Sequence, residues 1–224
     1  MKAISLYIKF QEAFFRTHIT KAFGDTYLIP MPTSIAGIFS SLLGISRDMV
    51  YNIFRDYYFG AILLNYKGKA RETATLLQKK EKRFITTVAP TYILNEPEYN
   101  LYIAGDEESI HNIYSKILDG VYYMPYGGQN DYFPLDYRVK DIVDVALDKV
   151  VKNYAPSTIV ERSFLDRGGE IYIAPVKYGV DDGDKKFVDY YFVYRGELHL
   201  NMEVYTVDGS ALYKLSDFYY QVRG

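Results

Sequence analysis

The sequence contains no cysteine and no tryptophan. The missing thiols exclude disulfides and every Cys-ligated metal site, and they fit a reducing cytoplasm. No run approaches the ~20 apolar residues of a membrane-crossing helix. The opening MKAISLYIKFQEAFF carries Lys9, Gln11 and Glu12 where a signal peptide would stay apolar. A cytoplasmic protein with no membrane partner is expected. Histidine is scarce, with only His18, His111 and His199, and none of the three adjoins a lysine. No carboxylate–histidine cluster falls at metal-ligand spacing. A G-x-S-x-G nucleophile elbow and a phosphate-loop lysine motif are missing too. The expectation is therefore no metal and no cofactor. An excess of positive charge is also lacking: 26 Lys and Arg face 28 Asp and Glu, for a net charge of −2. A uniformly basic nucleic-acid binder is excluded, so any such contact must be a local patch.

What is present is ample material for a core. The 224 residues are 49% hydrophobic, enough for one large domain or a domain with an elaboration, and global disorder is excluded. Aromatics reach 17%, with 25 Tyr and 13 Phe. Most of these rings belong in strands. A tyrosine can also stack on a nucleobase, because its ring is apolar and its tip polar.

Along the chain, Ala3 to Phe10 alternates, with Ile4, Leu6, Ile8 and Phe10 on one face and Ser5, Tyr7 and Lys9 on the other. That spacing predicts a half-buried strand. A loop carrying Arg16, His18, Lys21 and Tyr27 follows, a composition suited to phosphates and stacked bases. A helix opens at Pro32-Thr33-Ser34, where a Thr or Ser hydroxyl can cap the first amides. Those amides and the positive end of the helix dipole favour an anion nearby. The helix carries Ile35, Ile38, Phe39, Leu42 and Leu43 on one stripe and stops at Gly44. A short helix over Arg47 to Phe54 and a strand over Tyr58 to Tyr66 come next.

The segment Lys67 to Arg83 then holds Lys67, Lys69, Arg71, Lys79, Lys80, Lys82 and Arg83 against Glu72 and Glu81. Seven charges against two give +5, so the rest of the chain carries −7. A solvated excursion is the ordinary reading of a charge run, and an anionic partner is the other. Phe84 to Leu94 reads as a strand broken near Pro90, and Leu101 to Ala104 as another. Asp106 caps a helix through Leu118 that ends at Gly120, with His111 off its apolar stripe. The loop Tyr122 to Pro134 holds Gly127, Gly128, Gln129 and Asn130, where the chain can turn tightly and expose its backbone. Lys140 to Lys152 fits a helix or a strand. Beyond Pro156 the pattern is β: Glu170 to Val176, Phe187 to Tyr194 and Leu198 to Thr206, the last two joined by a hairpin turn at Arg195-Gly196-Glu197. His199 lies on the strand face opposite Leu198 and Leu200. The fold class is α+β. A ferredoxin-like domain over residues 1–154 includes the basic excursion 67–83 and the glycine loop 125–134, and a smaller β-rich module follows over 155–224.

Phe15-Arg16, Thr26-Tyr27, Pro30-Met31-Pro32-Thr33-Ser34 and Gly44-Ile45 stand in an order that resembles a known pattern. It is similar to the N-terminal signature of the fifth CRISPR-associated (Cas) protein family, in the RAMP superfamily. That family has its prolines adjacent, whereas here Met31 stands between them. Tyr126 to Phe133 resembles the same family's glycine loop, and that placement tips Lys140 to Lys152 toward strand. The resemblance implies a subunit of a type I CRISPR interference complex, Cascade. Its RRM-like domain would grip the 5′ handle of the guide (CRISPR) RNA and cap the backbone filament. Residues 67–83 stand where the family carries a basic hairpin or thumb against the RNA and the adjoining backbone subunit. The large subunit of the complex is a further implied partner.

Within this frame, Arg16, Lys21 and the seven basic residues of 67–83 would meet phosphates, with His18 contacting phosphate or base beside them. Tyr27 would stack on a base, an interaction worth ~1–3 kcal/mol. Thr33 and Ser34 would sit at the anion-favouring helix start, and Gly127, Gly128, Gln129 and Asn130 would bring backbone and amide donors to base edges. One subtype of the family is itself an endoribonuclease and uses a tyrosine with an adjacent Lys-His pair. Tyr27 can match the tyrosine, but the pair is absent. The leading expectation is therefore a non-catalytic RNA-binding subunit with no catalytic residue. The alternatives are a metal-free endoribonuclease that processes repeat RNA, and an RRM-like RNA-binding module outside CRISPR defence.

Overall fold

A computed structural model describes residues 1–17, 24–80, 83–161, 169–177 and 187–218. The alternating start forms β1 (Lys2–Phe10), and β2 (Glu12–Ala13) follows it. β1 is covered on both faces over its first half. Ala3 and Ser5 are buried as well as Ile4 and Leu6, because Val207 and Leu212 pack on the second face with Ala3 and Tyr102. The expected half-buried strand is in fact a central one.

The helix α1 (Pro32–Leu43) ends in a left-handed Gly44, as its sequence demands. Its start differs from expectation. Pro32 occupies the first helical position, so the cap falls on Met31, which makes no side-chain cap hydrogen bond. Thr33 and Ser34 lie inside the first turn, and the Ser34 amide donates to the Met31 carbonyl at 2.9 Å. A short α2 (Val50–Phe54) begins three residues later than expected. β3 (Tyr58–Asn65) leads into two long strands, β4 (Gly68–Lys80) and β5 (Arg83–Asn95), then β6 (Glu98–Gly105). In α3 (Glu107–Asp119) the Asp106 side chain accepts from the Ser109 amide at 2.9 Å, the cap its position foretells. β7 (Pro134–Asp144) and β8 (Ala146–Val151) resolve the ambiguous 140–152 stretch as strand.

The C-terminal strands are β9 (Tyr154–Pro156), β10 (Glu170–Lys177), β11 (Phe187–Tyr194), β12 (Leu198–Val207), β13 (Ser210–Ala211) and β14 (Tyr213–Lys214), followed by a 3₁₀ turn at Leu215–Asp217. The main sheet runs β14-β3-β6-β1-β7, every neighbouring pair antiparallel. Its β1-α1-β3 and β6-α3-β7 halves interleave in the ferredoxin-like order, with β4 and β5 inserted between β3 and β6. Ile35 and Phe39 of α1 and Ile110 and Ile113 of α3 share one hydrophobic cluster with Ile4, Leu6 and Leu101 of the sheet. Tyr154, Tyr190 and Phe192 from the C-terminal strands enter the same cluster.

Two local expectations fail for physical reasons. β5 runs through Pro90 without a break or register shift. The Pro90 carbonyl points away from β4 and accepts from the Gly24 amide at 2.9 Å, so the missing N–H falls on the side β4 does not use. Nor is Arg195–Glu197 a hairpin turn. β11 pairs with β10 and β9, and β12 with β8 and β13. The chain continues along one partner ribbon there, with Phe192 opposite Tyr154 and Leu198 opposite Val151. Alternation identifies strands but not their partners. Among the described residues no helix is long and apolar enough to cross a membrane.

Candidate nucleic-acid interface

Three stretches far apart in sequence meet at the end of β1. The Phe14 amide donates to the Gly127 carbonyl at 2.7 Å, which fastens the glycine loop to the segment after β2. Within the loop, Gly127 N–H donates to Tyr132 O at 2.7 Å and Gly128 N–H to Tyr126 O at 2.9 Å. The Phe14–Thr17 segment folds back along Asp25–Tyr27. Phe15 N–H donates to Thr26 Oγ1 at 2.9 Å, Tyr27 N–H to Phe15 O at 2.8 Å and Thr17 N–H to Asp25 O at 2.8 Å. Gly24 then bridges to β5, its carbonyl accepting from the Tyr92 amide at 2.8 Å. Residues 13–17 and 24–27 of the first stretch singled out in the sequence thus adjoin the glycine loop 125–134.

The residues expected to act there divide. Arg16 is exposed, and among the described residues its side chain has no ion-pair partner. Gln129 and Asn130 are exposed at the loop tip, Gly128 is exposed and Gly127 buried against Ala13. Thr33 and Ser34 are half-buried on α1, Ser34 facing the glycine loop across a small cleft. Tyr27 does not reach this surface. It is 2% exposed, its hydroxyl donates to Pro175 O at 2.9 Å, and its ring stacks on Phe192 at 5.6 Å between centroids. A ring covered in this way has no face for a base, so the stacking role assigned to it is corrected. Sequence reasoning missed the exposed rings of the loop itself: Tyr122, Tyr123, Tyr126 and Phe133. The dense aromatic spelling around Gly127-Gly128 was the available signal.

β4 and β5 pair from Gly68 opposite Asn95 to Lys80 opposite Arg83 with no register shift, a long ribbon whose root β2 joins by pairing Ala13 with Leu94 of β5. Phe84 and Val88 on it are 67% and 62% exposed. Arg71 and Arg83 are exposed, and the backbone of Lys79 and Lys80 belongs to β4. His18, Lys21 and Lys82 lie outside the described residues. At the root of the ribbon the cations are engaged. Lys67 pairs with Glu96. Lys69 reaches Asp25 Oδ1 and the Thr26 carbonyl, each at 3.2 Å, and lies over the Tyr172 ring at 4.9 Å. The Tyr172 hydroxyl donates to Asp25 Oδ2 at 3.4 Å. Burial first, and the Asp25 carboxylate second, push Tyr172 up to about 12. Lys69 is thus a latch between the ribbon, residue 25 and β10. Lys69→Met should lower stability by about 1 kcal/mol in urea unfolding, the scale of one partly buried pair with a ring contact.

His111 is exposed on α3, 3.9 Å from Glu107, and His199 lies on β12 between the buried Leu198 and Leu200. Among the described residues no group of three or more His, Asp or Glu side chains could hold a metal ion.

No protein-family model matches the sequence. No curated protein matches it either. In structure the chain is similar to a CRISPR protein from Archaeoglobus fulgidus, at 14% identity and a TM-score of 0.57 over 96% of this chain and 100% of that one. It is also similar to a chain of a CRISPR RNA-guided surveillance complex, at 15% identity and a TM-score of 0.49 over 88% and 91% of the two chains. The likeness to the first is one of fold.

Proposed function

We propose that this chain is a non-catalytic CRISPR RNA-binding subunit of a type I Cascade complex. It holds the 5′ handle of the guide RNA and caps the backbone filament in antiviral defence. The observation that carries this reading is the 2.7 Å bond from the Phe14 amide to the Gly127 carbonyl. It brings together the two stretches that resemble the fifth Cas family's motifs, with Arg16, Gln129 and Asn130 presented to solvent. Arg16 would neutralise a phosphate, and the loop amides would meet base edges. The ribbon β4–β5 would lie along the RNA and the adjoining backbone subunit through Arg71, Lys79, Lys80, Lys82 and Arg83, with the large subunit on another face. The fold shared with a CRISPR protein supports the reading.

The test is a pull-down of the tagged full chain from its host, with sequencing of bound RNA and identification of bound proteins. The expected result is intact, handle-containing guide RNA with a multi-copy backbone subunit. In binding assays, Arg16→Ala should weaken affinity several-fold, and replacing Lys79, Lys80 and Lys82 together should flatten the salt dependence, since each lost phosphate contact removes about one unit of slope. Site-specific cleavage of repeat RNA, lost in His18→Ala, would replace the proposal with the endoribonuclease. Broad binding of cellular RNA by a monomer would point to a module outside CRISPR.

A further inference from the structure

Between α1 and the glycine loop lies a cleft of about 120 Å³, lined by Ser34, Gly37, Ile38, Ser41, Tyr126 and Gly128. Tyr126 forms a partly exposed aromatic wall, and the buried Ile38 gives the opposite side an apolar base. The Ser41 hydroxyl donates to the Gly37 carbonyl at 3.1 Å, so its one proton is used and its lone pairs remain to accept.

Gly37 is the informative member. It sits in the sixth position of a twelve-residue helix, where glycine costs roughly 0.5–1 kcal/mol relative to alanine. Packing gives no reason for it, because a Cβ added there would meet nothing within 4 Å. What the missing side chain does is leave the cleft open.

The lining also narrows the ligand. Among the described residues no Lys, Arg or His borders the cleft, so nothing in this lining supplies a counter-charge to a phosphate. An aliphatic group would leave the hydroxyls unmatched. A neutral planar ring with a polar edge fits both the aromatic wall and the acceptors. We propose that this cleft takes one unpaired nucleobase of the bound RNA, stacked on Tyr126 with an amino or imino N–H directed to the serine oxygens, and that the bare Gly37 keeps it open. The inference rests on the RNA-binding reading above and adds to it a single-base subsite.

The test uses the full chain and the RNA recovered with it, resynthesised with 2-aminopurine at one position at a time. Binding should change the fluorescence at one position only. Gly37→Leu should abolish that change and weaken binding about tenfold, the effect of one lost base stack, while its melting temperature equals or exceeds that of the parent. Tyr126→Ala should lose the same signal, and Tyr126→Phe should keep it. If Gly37→Leu binds as tightly as the parent with the same fluorescence change, the subsite is wrong and the RNA-binding reading stands. If the parent chain binds no RNA, both fall.

Discussion

Gly128→Ala should cost the fold about 4 kcal/mol in urea unfolding and, under the proposed function, remove RNA binding with it. Two independent penalties meet at this residue. Its φ of +94 is a conformation that side chains rarely adopt, worth about 1–3 kcal/mol of strain. An added Cβ would also lie 2.0 Å from the Phe14 carbonyl oxygen and 2.8 Å from its carbon, both backbone atoms. That carbonyl has little room to yield. The Phe14 amide is bonded to Gly127 O, and the next residue is held from both sides by Thr26 Oγ1 and the Tyr27 amide. The loop must therefore leave the Phe14 segment, which dismantles the surface carrying Arg16, Gln129 and Asn130. Gly127→Ala provides the graded control. Its Cβ would stand 3.0 Å from the Ala13 Cβ and the Glu12 carbonyl, close enough to shift the loop by tenths of an ångström without detaching it. Equal losses for the two variants would mean that the loop is not anchored through Phe14.

The parts of this fold that were legible are those whose information is local. α1 and α3 follow from apolar stripes closed by Gly44 and Gly120, and Asp106 reads as a cap because a carboxylate before a first turn has one obvious use. The ferredoxin-like order follows from the sequence of strands and helices. What could not be read depends on partners distant in the chain. A charge count over Lys67 to Arg83 cannot reveal that Lys67 meets Glu96 and Lys69 meets Asp25. Tyr27 offers the same letter whether its ring meets a base or, as here, Phe192. Thr33 and Ser34 lost the cap because Pro32, itself a strong start signal, set the first helical position two residues before the one a Thr33 cap would give. Within the candidate site, the sequence named Phe15-Arg16 and Tyr126 to Phe133 as separate motifs, while their contact through Phe14 and the cleft between Tyr126 and Gly37 emerged only once α1 and the loop stood side by side.

Asn153→Leu should be the most damaging change away from that surface, destabilising by about 4 kcal/mol. Nothing in the sequence marks this residue, which falls between two strands in a stretch rich in β-branched residues. In the structure it is 0% exposed and acts as a bracket. Its Nδ2 donates to Ser210 Oγ and to the Ala211 carbonyl, both at 3.0 Å, and its Oδ1 accepts from the Ala211 amide at 2.9 Å. The Asn153 carbonyl takes the Val193 amide at 2.7 Å. One side chain thus satisfies both backbone groups of Ala211 in β13, which lies so close over β3 that a Cβ on Gly60 would stand 2.4 Å from the Ala211 oxygen. Leucine has similar bulk but offers no donor or acceptor. Both Ala211 groups would lose this partner in a buried setting, at about 1–3 kcal/mol each. Ser210→Ala should cost only about 1 kcal/mol, because the Nδ2–Ala211 bond survives it. With no tryptophan in the chain, far-UV circular dichroism is the suitable probe. The signature of lost stability is a lower urea midpoint at an unchanged slope. A shift for Asn153→Leu no larger than that for Ser210→Ala would show that β13 is held by packing and not by the bracket.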